Sequence, residues 1–106
     1  MLNFFENPIN IDVIIVEGNM EIIYNGRIIC KGSIDSIDSI NSCIRLLRRE
    51  IDQVPSSSSI VLNIKNRSSL SSGLVSDISV ITNKLHVLAS SARCAITIHR
   101  GLGYNS

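Results

Sequence analysis

The residues with the most chemistry within reach are Ser71, Ser72 and Gly73, which stand just ahead of a run with helical periodicity. A serine at a helix N-terminus meets unpaired backbone N–H groups and the positive end of the helix dipole. Its hydroxyl can cap the helix, which is worth about 1 kcal/mol. The same donors can hold an anion such as phosphate. Lys65 and Arg67 lie close by in sequence and can join in binding that anion, while Gly73 suits a closely packed first turn.

Other reactive side chains form weaker patterns. Cys30, Cys43 and Cys94 lie far apart among apolar neighbours, with no C-x-x-C pair. They read as three small buried side chains rather than a disulfide framework or a zinc site, and so suit a reducing cytoplasm. His86 and His99 have no carboxylate or cysteine at metal-ligand spacing, so neither a metal nor another cofactor is expected. No G-x-S-x-G elbow occurs, so no catalytic residue is assigned and no enzyme is expected. Gly101-Leu102-Gly103 lacks the following helix that a phosphate loop needs. Arg45, Arg48 and Arg49, interspersed with Glu50 and Asp52, read as a solvated helix face.

The elements that must position these residues follow from periodicity. Residues 1–10 are expected to form an arm or a short edge element, with Pro8 and three Asn. Ile11 to Val16 reads as a strand and Glu17-Gly18-Asn19 as a turn. Asn25-Gly26 between two β-branched runs predicts a hairpin, or a bulge within one longer strand. Ile34, Ile37, Ile40, Ile44, Leu47, Ile51 and Val54 make one helical stripe, with Ser33 or Ser36 as cap and Pro55 as stop. Ile60 to Ile64 reads as a central strand buried on both faces. Leu74, Val75, Ile78, Ile81, Leu85, Leu88 and Ala89 make a second stripe. Cys94 to Ile98 is the last strand, and residues 99–106 are a short tail. The order β-β-(β)-α-β-α-β predicts an α/β fold: a mixed sheet with helices on one face and helix-joined strands as parallel neighbours.

Two stretches carry a family resemblance. Val61-Leu62-Asn63-Ile64, a loop, and Leu70-Ser71-Ser72-Gly73-Leu74 opening a helix resemble the signature of STAS domains. That family includes the bacterial anti-sigma-factor antagonists. Upstream, Ile28 to Asp35 resembles the family's entry into its first helix, and the element order matches. Leu70 stands where the family usually has Asp, the loop before the serine pair is one residue shorter, and the family's C-terminal helix is expected to be absent or very short. The resemblance implies a phosphorylation site at Ser71, a partner kinase of the anti-sigma type, and regulation through a protein partner.

Composition bounds the rest. A chain of 106 residues, 44% apolar and 18% charged, makes one globular domain. Its net charge of +1 argues against a dedicated nucleic-acid binder. The N-terminus lacks a basic segment followed by an apolar run, and no apolar stretch nears the roughly 20 residues that span a bilayer. The expectation is a non-catalytic, cytoplasmic regulatory interaction module, able to form a homodimer. The alternatives are a small-ligand or nucleotide-binding α/β module or enzyme with its site at the helix N-termini, and a structural homo-oligomer subunit.

Overall fold

A computed structural model describes the backbone of residues 8–67 and 72–100, and the side chains of residues 8–67 and 78–100. The elements run β1 (Ile9–Val16), β2 (Asn19–Tyr24), β3 (Arg27–Ser33), α1 (Ile37–Asp52), β4 (Ser59–Asn66), α2 (Ser72–Ser91) and β5 (Ala95–Arg100). The five strands form one sheet in the order β3-β2-β1-β4-β5. β2 is antiparallel to β1 and β3, while β4 is parallel to β1 and β5. The expected α/β class, mixed sheet and element order are therefore present, and Ile60 to Ile64 occupies an interior strand.

Both hairpins turn on residues with positive φ. Asn25 and Gly26 have φ of 58° and 76°, and Glu17 and Gly18 have 46° and 79°. Two consecutive left-handed residues match the right-handed strand twist, which is why two-residue hairpins favour them. Asn25-Gly26 is thus a hairpin turn. The bulge lies elsewhere, where the register shifts beside Ile22 and Ile23 and leaves Ile29 unpaired. That shift turns Ile28 to the face opposite Cys30 and leaves it 54% exposed.

α1 and α2 pack on one face of the sheet. Ile11, Val13, Ile15, Ile22, Ile60, Leu62 and Ile64 meet Ile40, Cys43, Leu47, Ile51, Ile78, Ile81, Leu85 and Leu88 in a single core. Each fully buried Ile or Leu there contributes about 1.5–3 kcal/mol by leaving water. The buried hydroxyl of Thr82 donates to the Ile78 carbonyl at 2.8 Å, so the core carries no penalty for it. Ser36 caps α1 by accepting from the Ser39 N–H at 3.2 Å. Ser33 instead accepts from the Asp35 N–H at 3.1 Å, ahead of the helix.

Several expectations are corrected. Cys30 and Cys43 are bonded to each other, and only Cys94 is free and buried. The pairing needs no short sequence spacing, because β3 and α1 lie face to face and bring the two Cα atoms to 5.5 Å. Gly32 lets α1 sit this close: a Cβ there would stand 3.3 Å from the Ser39 Cβ and 3.5 Å from the Cys43 Sγ. Ile37 opens α1 with its side chain outward, 52% exposed. β4 is covered on one face only, with Val61 and Asn63 half-buried on the other. β3 and β4, joined through α1, are parallel but not neighbours, since β2 and β1 lie between them. Ile9 and Asn10 belong to β1, and His99 and Arg100 to β5, rather than to an arm and a tail.

Candidate functional site

β1, β3, β4 and β5 all point the same way, so four strand ends converge on one edge of the sheet. Both helices begin there. In open α/β sheets this is the edge where ligands and partners gather, because helix N-termini and loops offer unpaired N–H groups. Two backbone bonds fix the edge. The Ile34 N–H donates to the Gly18 carbonyl at 2.9 Å, and the Arg67 N–H donates to the Ile15 carbonyl at 2.8 Å.

The serine site falls partly on this ground. Ser71 lies outside the described residues. Ser72 and Gly73 form the first turn of α2, with the side chain of Ser72 outside the described set. Arg67 is exposed at the end of β4, and no carboxylate among the described residues pairs with it. Lys65 is not brought to the same place. Its Nζ stands 3.5 Å from Asp12 Oδ2, on the sheet face away from the helices.

Among the described residues, no helix packs on that second face. Asn63 donates to Asn10 Oδ1 and to Asp12 Oδ1, each at 3.2 Å. His99 is the register partner of Asn63 on β5, and its side chain is exposed. Ile14 is buried on this side although it lies outside the main core. Its register partners are Glu21 and Lys65, whose aliphatic stems can flank it. Lys31 in turn reaches Glu21 at 3.5 Å. Polar residues at alternate positions of β1 and β4 were the available sign of this half-open face.

The arginines of α1 divide. Arg45 and Arg49 are exposed, as expected of a solvated face. Arg48 is half-buried and donates to the Ser91 hydroxyl at the end of α2. It lines an open cleft of about 330 Å³ between the helices, with Asn41, Ile44, Asn83, Lys84, Val87 and Leu88. Ile44 and Leu88 belong to the two helical stripes, but neither stripe alone marks the cleft, because it exists only where the flanks of two helices meet. His86 is exposed on α2. Among the described residues, no three His, Cys, Asp or Glu side chains cluster closely enough to hold a metal ion, and no helix is long and apolar enough to cross a membrane.

No family model, no curated protein and no solved structure matches the chain.

Proposed function

We propose that the chain is a non-catalytic regulatory interaction module, of the kind the STAS resemblance implies, which docks a protein partner at the edge where α2 begins. The observation that carries this reading is the placement of that helix start. α2 opens at Ser72, one residue after Ser71, on the edge where four strands end and Arg67 stands exposed. The element order β-β-β-α-β-α-β supports it as well.

In this reading a kinase transfers phosphate to the Ser71 hydroxyl. The modification adds roughly −1.5 to −2 charges. A helix N-terminus tolerates that charge, so the fold survives. A docked partner does not, because the charge must be desolvated at the interface and the partner brings no counter-charge of its own. The partner is released when Ser71 is phosphorylated and rebinds when the phosphate is removed. The same proposal places the chain in the cytoplasm of a bacterium. In a reducing cytoplasm the Cys30–Cys43 bond would be opened, and the stability of the module there would rest on its apolar core.

The test is peptide mass mapping of the protein purified from its native source. A phosphate on Ser71 in a fraction of the molecules is expected. Phosphate on no serine between 68 and 72, under every growth condition sampled, would overturn the switch.

A further inference from the structure

We propose that the cleft between α1 and α2 is a binding site for a small amphiphilic organic anion: one carboxylate on a hydrocarbon chain or ring. The site is separate from the Ser71 edge, since Asn83 lies about three turns along α2 from Ser72.

The walls set the chemistry. Ile44, Val87 and Leu88 form an apolar lining, and Val87 is 68% exposed, which leaves apolar surface uncovered. The cleft volume of about 330 Å³ lies at the lower end of the range for small-molecule sites, about 300–1,000 Å³. Two cations, Arg48 and Lys84, border this lining, and no carboxylate does. Neither cation is ion-paired among the described residues.

Arg48 is also positioned. Its guanidinium donates to the Ser91 hydroxyl, and that hydroxyl donates onward to the Leu88 carbonyl at 3.1 Å. The partner is neutral, so the charge of Arg48 is held in place without being cancelled, and its remaining N–H donors stay open to an anion. Asn41 and Asn83 add amide groups on the two sides.

The dimensions favour a small molecule over a partner helix. From Asn41 to Arg48 the α1 wall runs about 10 Å. That suits a chain of eight or so carbons lying between the helices, and is too short for several turns of a docked helix.

The test is a two-dimensional amide NMR titration of the full chain with sodium octanoate, and with acetate and 1-octanol as the charge-only and apolar-only controls. Octanoate is expected to move the amides of Ile44, Arg48, Val87 and Leu88 and to saturate below about 10 mM. Acetate and 1-octanol should each bind at least about tenfold more weakly. Lys84→Gln should weaken octanoate about fivefold or more with an unchanged melting temperature, and Arg48→Gln should weaken it at least as much. If Arg48→Gln loosens the fold through Ser91, Lys84→Gln carries the result alone. The proposal is overturned if octanoate fails to saturate, if its shifts fall away from the cleft, if 1-octanol binds as tightly, or if Lys84→Gln leaves the affinity unchanged.

Discussion

Cys30 on β3 and Cys43 on α1 are bonded through their sulfurs across the contact between the sheet and the first helix, with Cα atoms 5.5 Å apart and a sequence separation of thirteen. The closed loop contains the β3–α1 connection and the first turns of α1. Closing a loop of this size restricts the unfolded chain and is worth about 3 kcal/mol. Urea unfolding of the oxidised protein should therefore lose about 3 kcal/mol on adding reductant. Cys30→Ser should show the reduced value with or without reductant. A wild-type midpoint that reductant does not move would show that the bond does not form in solution.

The core allows a sharper contrast. Ile81 is fully buried and Ile78 nearly so, while Ile37 is 52% exposed at the start of α1. Ile81→Ala and Ile78→Ala should each cost about 2–5 kcal/mol through lost burial and a residual cavity. Ile37→Ala should stay within about 0.5 kcal/mol. Chemical denaturation of the three variants checks this. A large loss for Ile37→Ala would mean that the first helix is rotated from the position described.

On the uncovered face, Asn63 donates one amide group to both Asn10 and Asp12, while Lys65 faces the other oxygen of Asp12. The Asp12–Lys65 pair is about a third exposed on each side, so it is worth less than about 1 kcal/mol. Asn63→Asp sets a second carboxylate beside Asp12. It should destabilise more than Asn63→Ala, and the gap should narrow as salt is raised and the repulsion is screened. Equal stability of the two variants at low salt would place Asn63 out of contact with Asp12.

Which features were legible in the sequence depends on how local their cause is. Ile40, Leu47 and Ile51, and Ile78, Ile81, Leu85 and Leu88, follow a period set by the helix itself, and all are buried. Asn25 and Gly26 are legible because their turn needs positive φ. Ile37 obeys the same period but stands at the helix start and is 52% exposed. The apolar run Ile60 to Ile64 gives the strand without saying that one of its faces is open. The Cys30–Cys43 contact depends on the facing of β3, which a bulge at Ile29 resets. Arg48 and Lys84 line one cleft from two helices, a juxtaposition no single helical period contains. At the serine site, the start of the helix is legible to within a residue, while alternation along β4 sets Lys65 on the face away from the helices, which its charge alone does not tell.

Control of docking by charge at Ser71, at the edge where α2 begins, is the core of the proposed function. It is tested most directly by comparing wild type, Ser71→Ala and Ser71→Asp as baits in quantitative affinity capture from the native source, with melting temperatures measured in parallel. A protein should be retained by wild type and Ser71→Ala and retained about tenfold less by Ser71→Asp, with the melting temperature of Ser71→Asp unchanged or raised. Equal retention by all three baits, with a melting loss in Ser71→Ala alone, would contradict it and leave Ser71 as a helix cap.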